Sequence, residues 1–458
     1  MLSEMRNSSL LGIVLIVIVG CSLWPTELAL ADGPPVQWQK TLGGDRYDAG
    51  SSVQQTADGG YIIAGTTDSF GTGYGDVYLI KTEPNGTVQW QKTFGGYIDD
   101  RGFSVQQTSD GGYIIAGYSD SFGGLWEVYL IKTEPNGSSE WEKTFGGSGS
   151  DFGRSVQQTS DGGYIVAGYT DSFGEGRKDV YLIKTEPNGN SQWQKTFGGS
   201  ENDYGWSVQQ TSDGGYIIAG DTQSFSAGNW DVYLIKTEPN GNMQWQKTFG
   251  VSVINLGRSV QQTSDGGYII SGGIEPYALT GDVYLVKINP IGNLQWEKTF
   301  GGSKWERGDS VHQTMDGGYI IACSTGTSDT ETWDVYLIKT DPNGNSQWQK
   351  TFGGSENDYG WSVQQTSDGG YVITGQTGEH HSKYDVYLIK LCPEGTLSGD
   401  LNCDGTVNFK DVEILVSQWL QPRSILDPHA DIHGYGDGIV DFLDYSTQAG
   451  DFGKSSSP

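Results

Sequence analysis

One feature limits what this chain can fold into more than any other: it repeats itself. The motif W-x-K-T begins at Trp38, Trp90, Trp141, Trp193, Trp245, Trp296 and Trp348, at spacings of 52, 51, 52, 52, 51 and 52 residues. Residues 187–216 recur letter for letter at 342–371, three units further on. Identity of that length marks a recent copy of structural units. A fixed period of this size is the signature of a repeat architecture, in which each unit buries its apolar face against the next.

Each unit contains four runs rich in Val, Ile, Tyr, Phe, Trp and Thr, bounded by turn residues. In the first unit they cover 52–56 (S-V-Q-Q-T), 61–65 (Y-I-I-A-G), 76–81 (D-V-Y-L-I-K) and 88–94 (V-Q-W-Q-K-T-F). That is a strand signature. The D-G-G at 58–60 and the N-G at 85–86 supply the positive-φ positions of tight hairpins. No helical periodicity interrupts them. Four antiparallel strands in about 50 residues match one blade of a β-propeller, as in kelch-length repeats. The S-V-Q-Q/Y-I-I/D-V-Y-L triplet occurs seven times, and one W-x-K-T strand precedes the first triplet. The last triplet lacks its own fourth strand, so the N-terminal strand fills that gap. The expected fold is all-β: a seven-bladed propeller of four-stranded blades over residues 36–391, closed by the N-terminal strand.

The N-terminus reads as a targeting segment over residues 1–31. Arg6 precedes a compact apolar run from Leu10 to Val19, and Ala29-Leu30-Ala31 fits a small-residue cleavage site. A second reading is open: Ile18-Val19-Gly20-Cys21 resembles a bacterial lipobox, which would lipidate Cys21 and tether the chain to a membrane. Either route places the mature protein outside the cytoplasm, at the cell surface or beyond it. That compartment permits disulfides. Cys392 and Cys403 stand eleven residues apart after the repeats, and a bridge between them is one option, since pairing cannot be read from sequence. Cys323 replaces a blade glycine and reads as a buried, inert thiol.

The chain carries 56 acidic and 27 basic residues, a formal net charge of −29. So acidic a surface argues against nucleic-acid binding. It serves solubility, or attracts cations or a basic partner.

After a linker at 392–398 the chemistry changes. Asp400, Asn402, Asp404, Gly405, Asn408 and Asp411 fall at positions 1, 3, 5, 6, 9 and 12 of a loop, the spacing of an EF-hand calcium site. Thr406, at position 7, would offer its backbone carbonyl. An apolar pattern of helical spacing follows at Val412, Leu415, Val416 and Leu420. A calcium loop with one helix, closing on Asp, resembles the dockerin type I module, here over residues 399–454. Such modules carry two loops. Asp431, Asp437, Asp441 and Asp444, with Gly438, fit a second one that bulges near 433–436. The resemblance implies a small α-helical, EF-hand-like module that binds calcium and docks onto a cohesin-type protein module. The pairs Phe409-Lys410 and Phe442-Leu443 are not the hydroxyl pairs common in cellulosomal dockerins, which argues against a cellulosomal partner.

The ring also resembles the W-Q-K-T-F-G-G-S…D-G-G-Y-I-I-A-G repeat proteins of bacteria and archaea, which are secreted or lipid-anchored. That resemblance covers almost the whole ring and implies no particular activity.

Candidate site residues come from comparing units. Five residues before each S-V-Q-Q valine stand Asp48, Asp100, Asp151, Asp203, Asn255, Glu306 and Asp358, each followed two positions later by Gly. They read either as a side-chain-to-backbone turn bond, with Gly supplying φ > 0, or as a polar rim. Beside them lie Phe103, Phe152, Tyr204, Trp206, Tyr359 and Trp361. Aromatics next to acids suit sugar binding, and Asp203, Tyr204, Trp206, Asp358, Tyr359 and Trp361 are the candidate ligand-binding set. The residues that break the repeat are His312 and His380-His381. No nucleophile elbow, zinc-protease helix or phosphate loop is present. The leading expectation is a recognition protein for an extracellular glycan or protein. A glycoside hydrolase delivered by its dockerin and a structural envelope protein are the alternatives.

Overall fold

A computed structural model describes residues 33–411, apart from 123–124, 228, 251–253, 276–280, 327–331, 380–382, 398, 401, 405 and 409. The chain divides into two compact units. One comprises Lys40–Ser367 and Tyr371–Ile389; the described part of the other comprises residues 33–39, 368–370 and 390–411.

The described residues form twenty-eight strands, β1–β28 in chain order, in seven four-stranded antiparallel sheets. The first complete sheet runs β2 (Asp48–Gln55), β3 (Tyr61–Thr67), β4 (Asp76–Thr82) and β5 (Val88–Phe94). Five sheets repeat that order. The seventh is β26 (Asn357–Gln365), β27 (Tyr371–Glu379) and β28 (Lys383–Leu391), completed by β1 (Val36–Leu42). The fold is a seven-bladed β-propeller closed by its N-terminal strand, as expected. Closure gives the last blade its fourth strand from the other end of the ring sequence.

Burial explains why the strands do not alternate. β3 and β4 are buried at every position, because each face packs on a neighbouring blade. The apolar clusters accordingly span two blades: Ile62, Ala64, Val77 and Leu79 of blade 1 pack with Val105, Tyr113, Ile115 and Tyr129 of blade 2. Only the outermost strand, such as β5, is mostly exposed. Its tryptophan still works between blades. Trp90 meets Tyr113 edge-on with centroids 5.8 Å apart, and Trp193 meets Tyr216 in the same way at 5.9 Å. Edge-to-face pairs of this kind add about 0.5–1.5 kcal/mol each beyond their burial.

The S-V-Q-Q strand is the innermost one, and its polar residues stitch the blades together. Each Ser hydroxyl accepts the valine N–H of the next blade. The bonds run from Val105 to Ser52 (3.3 Å), Val156 to Ser104 (3.1 Å), Val208 to Ser155 (3.1 Å), Val260 to Ser207 (3.2 Å), Val311 to Ser259 (3.2 Å), Val363 to Ser310 (3.4 Å) and, closing the circle, Val53 to Ser362 (3.3 Å). The first Gln repeats the pattern one step along: Gln107 N–H donates to Gln54 Oε1 and Gln210 N–H to Gln157 Oε1, each at 2.6 Å. The second Gln reaches back. Ala57 N–H donates to Gln107 Oε1 and Ser367 N–H to Gln55 Oε1, each at 2.8 Å. Side chains thus satisfy backbone donors that a neighbouring strand would otherwise serve.

The glycines before this strand correct one expectation. Gly50, Gly102, Gly153 and Gly205 do not have positive φ. They are required by contact: a Cβ on Gly102 would stand 2.9 Å from the Gly65 carbonyl of the previous blade, and one on Gly205 2.7 Å from that of Gly168. The strand also starts earlier than the apolar run suggests, at Asp48. A bulge between Gly50 and Ser52 carries it over this close approach. The turn glycines do have positive φ, as at Gly59 (84°) and Gly86 (78°).

Each D-G-G turn is also tied to the third strand by a buried lysine. Lys81 Nζ lies 2.9 Å from Asp58 and also donates to Thr82 O; Lys132–Asp110, Lys184–Asp161, Lys236–Asp213, Lys287–Asp265, Lys339–Asp316 and Lys390–Asp368 repeat the pair. Partial burial opposes ionisation of Asp110, but bonds from Lys132, Thr108 and the Gly112 N–H outweigh it and hold the carboxyl down at about 2. Asp58, Asp161, Asp213, Asp265 and Asp316 shift the same way for the same balance of causes. A carboxyl depressed on folding contributes stability above its unfolded pKa, and that contribution is lost as pH falls through the folded value. The thermal midpoint of the ring should therefore fall most steeply between about pH 4 and pH 2. A midpoint flat across that window, followed by scanning calorimetry, would contradict this assignment.

Candidate functional site

The acidic residue that opens each innermost strand is not an open rim. Asp48, Asp100, Asp151 and Asp203 are fully buried, and Asn255, Glu306 and Asp358 nearly so. Asp203 Oδ2 accepts the Gly199 N–H (2.9 Å) and the Ser224 hydroxyl (2.6 Å), while Oδ1 accepts the Thr222 hydroxyl. Asp48, Asp100 and Asp151 accept the equivalent N–H and Ser hydroxyl. The turn-bond reading accounts for this position. Asp358 differs in degree: burial, with Asp334 and Glu356 nearby, raises its carboxyl to about 6 against the bonds from Thr377 and the Gly354 N–H.

The variable chemistry lies beside it. Within an otherwise invariant strand, the residue two before the valine is Ser51, Phe103, Arg154, Trp206, Arg258, Asp309 and Trp361 in turn. The residue four before it is Ala49, Arg101, Phe152, Tyr204, Leu256, Arg307 and Tyr359. The strand register places both at the same end of every innermost strand, around one mouth of the central channel. The second strand adds Tyr118, Tyr169, Asp221 and Gln376 at one shared register position.

On blades 2 to 5 these side chains interlock. Phe152 is buried against Tyr118 and Tyr169, with Phe103, Tyr204 and Trp206 packed around them, half-exposed. The Arg154 guanidinium carbon stands 4.1 Å from the Phe103 ring centroid and 4.9 Å from that of Trp206, and Arg258 stands 4.2 Å from Trp206. The Trp206 indole N–H donates to Asp221 at 2.6 Å, and the same carboxylate accepts the Gly257 N–H at 2.7 Å. Burial raises the Asp221 carboxyl despite the opposing charge of Arg258. Where blade 6 meets blade 7, Trp333 of blade 6 and Tyr359 and Trp361 of blade 7 form a run of near-parallel rings. Trp333 and Tyr359 are 25° apart in plane at 5.8 Å, and Tyr359 and Trp361 are 29° apart at 6.1 Å.

The structure thus brings the expected aromatics to one mouth. It also adds Arg101, Arg154, Arg258 and Arg307, which the sequence reading passed over. The signal was available: four of the chain's eight arginines occupy these two positions.

At the other end of the innermost strands, His312 takes the place of the first Gln. A cavity of about 360 Å³ opens there, lined by Gln261, His312, Gln313, Met315, Gln364 and Gln365. The imidazole is half-buried in the protein. This burial lowers its pKa to about 4, so the ring is neutral at physiological pH. His380 and His381 lie outside the described residues. Cys323 is fully buried, and burial pushes its thiol up, as expected of an inert residue.

In the tail, Cys392 and Cys403 are bridged, and Cys392 N–H donates to Pro35 O at 3.0 Å. Asp400 and Asp411 are fully buried. Asp411 accepts the N–H groups of Asn402 (3.2 Å) and Asn408 (2.8 Å), drawing both arms of the loop to one carboxylate. Asp404 N–H donates to Asp400 (3.0 Å) and Asn402 (2.9 Å), and Thr406 N–H to Asp404 (3.1 Å). Among the described residues, no group of three or more His, Cys, Asp or Glu side chains stands in a metal-holding arrangement. Gly405, the segment after Asp411 and the second loop with Asp431, Asp437, Asp441 and Asp444 lie outside the described residues.

No protein-family model matches the chain, and no curated protein is similar to it in sequence. Solved structures similar to it include a protein of unknown function from Dyadobacter fermentans DSM 18053, at 9% identity over 78% of this chain and 98% of that one, with a TM-score of 0.44. They also include the Neurospora crassa Pan2 WD40 domain (11%, 78% and 96%, TM-score 0.46) and Drosophila Plexin A in complex with Semaphorin 1b (8%, 79% and 88%, TM-score 0.44). The fold assignment here stands on the sheets and their order.

Proposed function

We propose that this is an extracellular recognition protein. Its propeller holds a glycan or protein ligand at the channel mouth, and a calcium-binding, dockerin-like tail docks it to a cohesin-type module. One observation carries the reading of the ring: residues at the mouth differ from blade to blade, inside strands that otherwise repeat almost unchanged. A framework so uniform can hold any set of side chains there. Half-exposed indole and phenol rings suit sugar faces, while the acidic residues beside them are consumed by turns. Near-equivalent blades also suit several weak contacts acting together.

Calcium fits the tail loop by the chemistry of its donors. Asp400, Asn402, Asp404 and Asp411 are hard-oxygen groups, with the Thr406 carbonyl as a further donor and position 9 at Asn408. Asp400 and Asp411 are fully buried, and a buried carboxylate gains from a cation. When bound, calcium would neutralise the converging charge and link metal affinity to the stability of the tail.

Two outcomes follow. In calcium, the mature chain should be retained on at least one polysaccharide of a plant, algal and bacterial panel without releasing sugars, and replacing Trp206 and Trp361 together should abolish retention. Released oligosaccharides would instead establish a glycoside hydrolase. Calorimetric titration of the full chain with calcium should give saturable heat that Asp411→Ala removes. No heat from the wild-type chain would sink the calcium reading.

A further inference from the structure

We infer that the blade 2 to 5 side of the channel mouth binds the anionic groups of an acidic polysaccharide, with Arg154 as the principal contact and Arg258 beside it. This rests on the recognition reading and names its ligand class.

Charge makes the first point. In a chain with 56 acidic and 27 basic residues, half of the eight arginines converge on one mouth. Three of them meet carboxylates: Arg101 with Asp99 at 3.0 Å, Arg307 with Asp309 at 2.9 Å and Arg258 with Asp221 at 3.5 Å. Asp221 is already shared with Trp206 and Gly257. Arg154 makes no ion pair among the described residues. Its one hydrogen bond runs from Nη2 to the Tyr169 hydroxyl at 3.0 Å.

Geometry makes the second point. Phe103, Arg154, Trp206 and Arg258 form an alternating stack of rings and guanidinium groups. Phe152 and Tyr169 are further rings around Arg154, at 5.7 and 5.5 Å. Aromatic packing holds a guanidinium by its faces and leaves the in-plane N–H edge as the group that can still bond. Nε of Arg154 and Nε of Arg258 are buried and have no hydrogen-bond partner among the described residues, so the donors a ligand can reach are the terminal Nη groups of these half-buried side chains. A carboxylate or sulfate presents two or three oxygens at the spacing of such an edge. The stack is therefore built to hold its donors ready for a planar or tetrahedral anion.

The aromatic run where blade 6 meets blade 7 favours a polysaccharide over an acidic peptide. In a ring of seven, blade 7 stands across the channel from blades 3 and 4. Tyr359 and Trp361 there, with Trp333 of blade 6 beside them, offer near-parallel, half-exposed planes, the surface on which pyranose faces stack. Blade 1 has only Ala49 and Ser51 at these two positions, and Tyr47 supplies the large side chain of that arc, its hydroxyl donating to Gln376 at 2.8 Å.

The test measures binding of the mature chain, in calcium, to polygalacturonate, its fully methyl-esterified form, a sulfated galactan, a neutral galactan and polyglutamate. Polygalacturonate or the sulfated galactan should bind at least tenfold more tightly than its neutral counterpart, with affinity falling as salt rises. The preferred one of the two distinguishes a carboxylate from a sulfate ligand. Arg154→Gln should lose at least tenfold in affinity for that glycan at an unchanged melting temperature. Arg177→Gln, which removes the same charge from an exposed loop, should change nothing. If Arg154→Gln does not fold, Arg154→Lys keeps the charge but not the fork, and it should still bind more weakly than wild type. Equal binding of acidic and neutral glycans, unaffected at Arg154, would overturn the inference and leave the recognition reading standing. Stronger binding of polyglutamate through Arg154 would overturn it in favour of an acidic peptide. Binding to no glycan at all would overturn it together with the glycan form of that reading.

Discussion

The hydrogen bond from a valine N–H to the serine of the preceding blade is the contact on which this ring depends. Seven such bonds close a circle, and the glutamines that follow the serines, with His312 in place of one of them, add further bonds to the same junctions. Apolar packing between blades is strong but weakly directional. It would tolerate a slip of one blade along its neighbour. Bonds from side chain to backbone at fixed positions do not, because a slip leaves buried N–H groups unserved. The bulge glycines of blades 2 to 5, Gly102, Gly153, Gly205 and Gly257, belong to the same device, since only a residue without Cβ lets the innermost strand lie against the neighbour's carbonyl.

With register held at the junctions, the ends of the innermost strands are free to differ. The two copies of the thirty-residue segment illustrate this. Trp206 and Trp361 have identical sequence neighbours, yet Trp206 is fixed by Asp221 while the equivalent position on blade 7 is Gln376, which accepts the Tyr47 hydroxyl instead. Arg258 covers Trp206 from the next blade, whereas the blade that follows blade 7 offers Ser51. Identical strands therefore present different chemistry because the adjacent units differ. This is how a near-symmetric ring acquires one distinct side.

Much of the fold was legible in the sequence because the period carries it. Blade number, strand count, closure by the N-terminal strand and the positive φ of Gly59 and Gly86 all follow from motif spacing and turn chemistry. The less legible features depend on what lies across a blade junction. Gly50 and Gly102 look like turn glycines until the neighbouring blade is in place, with Thr374 and Val386 against Gly50 and the Gly65 carbonyl against Gly102. Asp203 looks like a candidate ligand until Gly199, Thr222 and Ser224 surround it. The arginines of the mouth form no motif of their own, although Arg154 and Arg258 occupy the same repeat position as Trp206. The pairing of Cys392 with Cys403 required three dimensions. The EF-hand-like spacing at 400–411 is the most specific sequence motif outside the ring, and the second loop proposed for the tail lies beyond the described residues.

The central claim is that the inter-blade collar, more than the outer strands, holds the ring together. Amide hydrogen exchange on the intact protein measures this directly. The valine and glutamine amides of all seven S-V-Q-Q strands should exchange only through global unfolding, and therefore at a common free energy, while the outermost W-x-K-T strands exchange earlier. Innermost amides that open at a lower free energy than the outermost strands, or one blade junction far less protected than the other six, would contradict the account.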